Sequence, residues 1–271
     1  MKVNKKVKKL WVEEGVKVAK GINDQNSAAG LISNMPEFIR FRTETELKHL
    51  FRKYDFSNKS VLDIGCGPGR LSIEMGRRSK CLVGIDLSSD FVDLAKQNAL
   101  INDLDNVDFY CTDLYELGLN QKFDIVFIGG VLLYFTDDEI NEVLLYLKDR
   151  YLKPGADIII REPMSYLGKR EETNIDIKRT KLEYEAIFNS AGFQLSYSKE
   201  TFIHCPPFKY YTSLSSEKRN KKLIVIFFRI LFTINGKLDW FFQQLGPSYV
   251  NNVSKNWTIK QNYMFFSLDE K

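Results

Sequence analysis

Gly65, Gly67 and Gly69 recur at alternate positions in Val61-Leu62-Asp63-Ile64-Gly65-Cys66-Gly67-Pro68-Gly69-Arg70-Leu71, where a strand-like run passes straight into a helical one. Glycines so placed let the backbone turn tightly and let a ligand approach main-chain N–H groups at a helix N-terminus. A dinucleotide fingerprint G-x-G-x-x-G would need its third glycine where Arg70 stands, so the spacing is wrong for a nicotinamide dinucleotide. Acidic residues accompany the loop. Asp63 lies two residues before the first glycine, Asp86 follows 23 residues beyond Asp63 in Val83-Gly84-Ile85-Asp86-Leu87-Ser88, and Asp113 stands in Cys111-Thr112-Asp113-Leu114. A carboxylate at a strand end, such as Asp86, can accept hydrogen bonds from both hydroxyls of a ribose. Each acid alone also reads as a satisfied strand-end carboxylate, a helix cap or a turn former. Their joint occurrence at strand C-terminal ends, where open α/β sheets bind ligands, favours a ligand site.

The elements that hold these residues follow from hydrophobic patterning. From Ser60 to about Phe193, short apolar runs at 61–64, 81–85, 107–111, 123–128 and 156–160 alternate with helical stretches at 70–79, 89–100, 137–151 and 181–191. Such alternation predicts βα units around a buried parallel sheet. Ser88 or Ser89 is the expected N-cap of the second helix, and Gly192 the residue that closes the last. The first 59 residues read as amphipathic helices packed over the functional edge of the sheet, with Val3, Val7, Leu10 and Trp11 at helical spacing and a second segment from Phe38 to Phe51. The organisation therefore reads as an N-terminal cap over 1–59, a core over 60–198, an aromatic-rich helical cap insertion over 199–260, and a closing strand over 261–271.

Composition narrows the class. The 271-residue chain carries 39 Lys and Arg against 35 Asp and Glu, a net charge of only +4, with 44% hydrophobic and 27% charged residues. That balance excludes a polyanion-coating protein and a disordered, collagen-like or disulfide-scaffold chain. Cys66, Cys81, Cys111 and Cys205 form no C-x-x-C pair and the histidines are His49 and His204, so no metal site is expected and the thiols read as reduced, in a cytoplasmic protein. The basic start runs into Trp11-Val12-Glu13-Glu14-Gly15 instead of an apolar run, unlike an export signal. The longest apolar run, Leu223 to Ile234, is interrupted by Arg229 and is shorter than the roughly 20 residues that span a bilayer.

Asp63-Ile64-Gly65-Cys66-Gly67-Pro68-Gly69 resembles the first motif of the class I S-adenosylmethionine-dependent methyltransferases. The family's next stations appear in order: Asp86 after the second strand, Asp113-Leu114 after the third, Phe123-Asp124-Ile125-Val126-Phe127-Ile128-Gly129-Gly130 as the fourth, and Leu152-Lys153-Pro154-Gly155 leading into the fifth. The resemblance implies an α/β fold with a doubly wound, mostly parallel seven-stranded Rossmann-like sheet and helical N-terminal and C-terminal caps. It also implies S-adenosyl-L-methionine as cofactor and methyl transfer as the activity. Carried onto this sequence, it assigns cofactor contacts to Asp63, Gly65, Cys66, Gly67, Gly69, Asp86, Leu87, Asp113, Leu114, Gly129 and Gly130. The glycine loop would cradle the methionine part, Asp86 the ribose, and Asp113 with the Leu114 amide the adenine. Within the loop Cys66 and Pro68 read as turn fillers.

A sulfonium methyl is already activated, so the protein must mainly align an in-line acceptor, with a base only where that acceptor holds its proton tightly. The candidates expected to face the acceptor are Tyr134, Arg161 and Glu162 at the ends of the fourth and fifth strands, and His204 in the cap. Glu162 could polarise a hydroxyl or hold an amine, and Arg161 with Arg179 and Tyr184 could grip a phosphate or carboxylate. The same residues also read as a solvated ion pair on the rim, a surface arginine before a helix, and a structural histidine beside Cys205-Pro206-Pro207.

The fourth-strand exit lacks an Asn-Pro-Pro-Tyr sequence, no Pro-Cys dipeptide occurs, and the +4 charge fits nucleic acid poorly, which trims DNA methylation. A small-molecule or glycan-type acceptor, free or lipid-linked and methylated at oxygen, is the expectation. The alternatives are N-methylation of a small amine and a catalytically silent cofactor-binding scaffold at a membrane. Lys218-Arg219-Asn220-Lys221-Lys222 abuts aromatic-rich sequence to Leu245, which fits peripheral membrane contact through 218–245, a hairpin lying over the sheet, or the face of a homodimer. The helix holding Tyr184 and Phe188, the aromatic cap and the ending from Trp257 to Phe266 are together similar to methyltransferases of bacterial surface-polysaccharide assembly.

Overall fold

The computed structural model describes residues 5–20, 47, 50–165, 168–204 and 258–268. Helix α1 (Lys5–Ala19) is followed by β1 (Ser60–Ile64), α2 (Arg70–Gly76), β2 (Cys81–Asp86), α3 (Ser89–Ile101), β3 (Val107–Cys111) and β4 (Phe123–Gly129). A 3-10 turn (Leu132–Tyr134), α4 (Asp137–Arg150), β5 (Leu152–Pro163), the short hairpin β6 (Glu171–Glu172) and β7 (Ile177–Lys178), α5 (Lys181–Ser190), β8 (Phe193–His204) and β9 (Thr258–Leu268) complete it. The main sheet has seven strands in the order β3-β2-β1-β4-β5-β9-β8, and β9 runs antiparallel to both its neighbours while the other pairs are parallel. This is the doubly wound sheet expected. Strand order reverses between β1 and β4, so the loops leaving those two strands part to opposite faces and open a crevice at their C-terminal ends.

Two cores flank the sheet because side chains alternate along buried strands. Val126 and Ile128 of β4, with Leu62, Val83 and Ile158, pack against Ile140, Leu144 and Leu147 of α4 and Tyr184 and Phe188 of α5. Ile125 and Phe127 of the same strand, with Val61, Leu82 and Ile159, pack against Leu71 and Ile73 of α2 and Val92 and Ala95 of α3. The helices start where short-range chemistry says they should. Ser88 Oγ accepts the Phe91 N–H at the head of α3, and Thr136 with Glu139 and Thr180 with Glu183 form reciprocal capping boxes at the heads of α4 and α5. Gly192, at φ 83°, closes α5 in the left-handed conformation that glycine adopts most easily.

Three boundaries differ from the patterning. Helix α2 stops at Gly76 rather than Ser79, because the Asn106 side-chain amide takes the carbonyls of Gly76 and Ser79. Strand β5 continues through Arg161 and Glu162 to Pro163, held there by pairing with Tyr263, Asn262 and Gln261 of β9. Strand β8 runs on to His204 opposite Thr258, so the β8–β9 ribbon extends past position 198 and past the last paired residue of β5. The expected cap over 205–257, including the basic and aromatic stretch 218–245, lies outside the described residues. Among the described residues, no helix is long and apolar enough to cross a membrane.

Candidate active site

The glycine turn leaves β1 at the crevice. Gly65 and Cys66 both donate their N–H to the Ile85 carbonyl, at 2.8 and 3.0 Å, Gly67 donates to Asp86 Oδ2 at 2.9 Å, and Gly69 donates to the Cys66 carbonyl at 3.1 Å. The expectation that this loop offers bare amides is therefore corrected: its N–H groups hold the loop itself in shape. What the loop offers a ligand is room. Among the described residues, a Cβ at Gly67 (φ 54°) would meet nothing within 4 Å, and the same holds at Gly130 (φ 75°) beyond β4. At Gly65 a Cβ would lie 2.3 Å from Val131 Cγ2, and at Gly69 3.1 Å from Ala95 Cβ, so those two glycines serve close packing. Cys66 turns its side chain into the core, where burial, then the charges of Asp63 and Asp86, push its thiol well up. It fills the turn and is not a nucleophile.

Asp86, at the end of β2, accepts Gly67 N–H with Oδ2 and Ser88 N–H with Oδ1, both at 2.9 Å. Burial raises its carboxyl and these amide bonds oppose the rise. Asp63 is buried and accepts the Ser72 hydroxyl of α2 at 2.5 Å, and burial pushes its carboxyl up to about 7 against that bond. It ties α2 to β1, which corrects its expected place on the cofactor. Asp113 makes an Asx turn, its Oδ1 accepting Tyr115 and Glu116 N–H at 2.8 and 3.0 Å, while Leu114 is buried and Leu87 half-buried.

Beyond β4 the chain makes its 3-10 turn, and two buried charges grip it from below. Glu162 is 0% exposed, and its Oε1 accepts Val131 and Leu132 N–H at 2.9 and 3.0 Å. Arg179, also 0% exposed, donates to the Leu132 carbonyl at 3.2 Å, the Phe135 carbonyl at 2.6 Å, and Asp137 Oδ1 at 2.8 Å from Nε and 2.6 Å from Nη2. Arg161 and Glu162 were expected to face an acceptor, and Arg179 and Tyr184 read as able to grip its phosphate or carboxylate; the structure buries all four. Because β5 continues past them, Arg161 and Glu162 alternate to opposite faces and both are buried. Arg179 is neither a phosphate grip nor a surface arginine, and Tyr184 is fully buried beneath it, the guanidinium 5.6 Å from its ring centroid.

Tyr134 does stand at the C-terminal edge. Its ring meets Trp11 of α1 edge-on at 5.9 Å, and its phenol is pushed up to about 12 by burial, with the charges of Glu162 and Asp176 adding and a Trp11 hydrogen bond opposing. Trp11 was read from sequence only as part of an amphipathic stripe, and Asp176 was not singled out. Asp176, in a short polar hairpin, carries no such signal. The backbone of His204 ends β8 at the same edge as the β5 terminus, and its side chain lies outside the described residues.

A family model described as "Methyltransferase domain" matches residues 55–207, more than half of the chain. The chain belongs to this family. The methyltransferase is 30% identical over 147 residues to a probable cobalt-precorrin-6B C(15)-methyltransferase (decarboxylating) of Methanococcus maripaludis, covering 53% of this chain and 78% of that one. It is 32% identical over 94 residues to a ubiquinone biosynthesis O-methyltransferase of Coxiella burnetii, covering 34% and 40% of the two chains. In fold it is similar to the magnesium protoporphyrin IX methyltransferase of Synechocystis PCC 6803 solved with bound S-adenosylmethionine, with a TM-score of 0.58 at 14% identity, covering 99% and 98% of the two chains. The cofactor is S-adenosylmethionine. The open space over Gly67 and Gly130 and the carboxylate of Asp86 between the turn and α3 are compatible with such a ligand.

Two outcomes are expected from the buried charges in this methyltransferase. Arg179→Met keeps the stem but abandons two buried carbonyls and Asp137, and should cost about 3–5 kcal/mol in urea unfolding; a loss under about 1 kcal/mol would mean that the guanidinium does not hold the turn. Burial raises the Glu162 carboxyl to about 7 from its ordinary 4.5. Folding then favours the protonated form, so this contribution is full below the unfolded value and is lost as pH rises through the folded one. Wild-type stability should therefore fall relative to Glu162→Gln between about pH 5 and pH 8, and parallel pH profiles would show that Glu162 does not titrate there.

Proposed function

We propose that the methyltransferase holds S-adenosylmethionine across the C-terminal ends of β1, β2 and β4 and passes its methyl group to a hydroxyl of a small-molecule or glycan-type acceptor beside Tyr134. The observation that carries this reading is the pair of hollows over Gly67 and Gly130, which lie on either side of the point where strand order reverses. Bound there, the cofactor supplies an electrophilic methyl on a positively charged sulfur. The loop amides being internally bonded, Gly67 contributes shape, and polar recognition falls to side chains. Asp86 keeps lone pairs beyond those given to Gly67 and Ser88 and can accept the ribose hydroxyls, while Asp113 and the Leu114 main chain stand at the neighbouring strand end for the adenine. Gly65, Cys66 and Gly69 shape the loop, and Leu87 and Gly129 line the adjoining strand ends.

On the acceptor side, Tyr134 stays protonated at neutral pH and can donate to the acceptor oxygen. Asp176 of the β6–β7 hairpin, whose charge adds to the rise of the same phenol and whose Oδ1 accepts the Thr173 hydroxyl, would take the proton as the oxygen–methyl bond forms. Methyl transfer to a small amine is a second reading, which the same Asp176 favours because a carboxylate would hold an ammonium group beside Tyr134. Cys66, Cys81 and Cys111 are all unpaired, which supports a cytoplasmic enzyme.

Gly67→Ala tests the cofactor site. The left-handed conformation costs alanine about 1–2 kcal/mol of stability, but the methyl enters only open space, so the protein should fold while its affinity for S-adenosylhomocysteine in calorimetry falls about tenfold or more. Undiminished affinity would place the cofactor elsewhere. With methyl-labelled cofactor and fractionated cell extract, label should enter a small-molecule or glycan fraction on oxygen, and Asp176→Asn should slow turnover without weakening S-adenosylhomocysteine. Label confined to protein or nucleic acid would overturn the acceptor reading.

A further inference from the structure

Helix α1 packs on the segment after β2 and on the segment after β4. Gly15 abuts the head of α3 so closely that a Cβ there would lie 2.0 Å from Ser88 Oγ, and Val7 shares the buried face of the helix. That contact fixes where α1 lies on α3. One turn before Gly15, the half-buried Trp11 has its ring centroid 6.4 Å from Phe91 in α3 and 5.9 Å from Tyr134 at the end of the 3-10 turn. The indole is a strut between the two segments.

The backbone of the 3-10 turn is held from below by Glu162 and Arg179, which bond the amides of Val131 and Leu132 and the carbonyls of Leu132 and Phe135. None of those bonds fixes the direction of the half-buried Tyr134 side chain, which has rotamers of its own to choose among. Trp11 constrains that choice. The two rings meet edge-on at 76°, a favoured arrangement for aromatic pairs, and the indole hydrogen-bonds the phenol. An indole N–H can only donate, so the phenol oxygen accepts in that bond and its own proton is left for another partner. A tyrosine so bonded is set to offer its hydrogen. It suits an acceptor oxygen, which has a lone pair to receive that hydrogen besides the one that attacks the methyl group. The nitrogen of a neutral amine has a single lone pair, and the methyl group takes it.

We propose that Trp11 is a positioning residue for methyl transfer, holding the Tyr134 hydroxyl as a hydrogen-bond donor toward an acceptor oxygen. The proposal rests on the role given to Tyr134 above, and extends it: α1, far from the cleft in sequence, completes the acceptor side through one side chain.

A double-mutant cycle on the full chain tests this, with methyl-labelled S-adenosylmethionine and the fraction of cell extract that takes up label as the probe. Trp11→Phe keeps a ring against Phe91 and Tyr134 but has no N–H. It should lower kcat about fivefold to tenfold, as for loss of one hydrogen bond, while KM for S-adenosylmethionine and the affinity for S-adenosylhomocysteine stay within about twofold of wild type. Trp11→His, which keeps a ring N–H, should recover part of the rate. In a Tyr134→Phe background, Trp11→Phe should lower the rate no further, because the group it acts through is gone. Rate losses that multiply, or an equal fall in cofactor affinity, would make Trp11 a structural residue of α1 and overturn the proposal. A Tyr134→Phe enzyme as fast as wild type would instead refute the role of Tyr134, and wild-type protein that labels no fraction would refute the acceptor reading, so these failures are distinguishable. One arm needs no acceptor. In protein carrying 3-fluorotyrosine, the fluorine resonance missing from Tyr134→Phe should move in Trp11→Phe, and an unmoved resonance overturns the proposal.

Discussion

The loops at the C-terminal edge of the sheet have little regular structure of their own, yet several of their main-chain amides are wholly or partly shielded from water and need partners. Carboxylates supply them. Asp86 takes the amides of Gly67 and Ser88, Glu162 those of Val131 and Leu132, and Asp113 those of Tyr115 and Glu116. Each acid comes from the end of a strand or the residues just after it, so the rigid sheet is bonded directly to the segments that shape the cleft. Remove those bonds and the hollows over Gly67 and Gly130 lose their walls, although the sheet and its two cores would persist.

The 3-10 turn after β4 shows how far this constraint reaches. Glu162 satisfies its donors, and Arg179 satisfies its carbonyls at Leu132 and Phe135. Arg179 is in turn neutralised by Asp137 at the head of α4, which also accepts Arg170 at 2.8–2.9 Å. Burial of opposite charges is weak evidence for net stability, because desolvation opposes the attraction. Its consequence here is positional: the turn has one set of partners, and Tyr134 at its end is thereby set between Trp11 and the β6–β7 hairpin.

Much of this was legible in the sequence wherever the cause is local. The glycine spacing, the strand-end acids, the Ser88 cap and the αL glycine after α5 all act within a few residues, and the structure has each in its expected element. Arg161 and Glu162 are buried instead of facing an acceptor, and the reason is non-local. Arg161-Glu162 follows a short apolar run that reads as ending at Ile160, but β9 arrives from about one hundred residues downstream and extends the strand, and alternation then sends the two side chains to opposite faces. Arg179 is drawn inward by Asp137, 42 residues earlier in the chain, and Gly15 of α1 meets Ser88 through a packing contact that no local pattern encodes.

The carboxylates that tie these segments together also have their own ionisation shifted by burial. Asp63 and Glu162 are raised to about 7, Asp86 is raised as well, and the charge of Asp86 adds to the rise at Asp63. Holding such groups ionised away from water is unfavourable, so burial is the largest cause of each rise and the amide and hydroxyl bonds they accept oppose it.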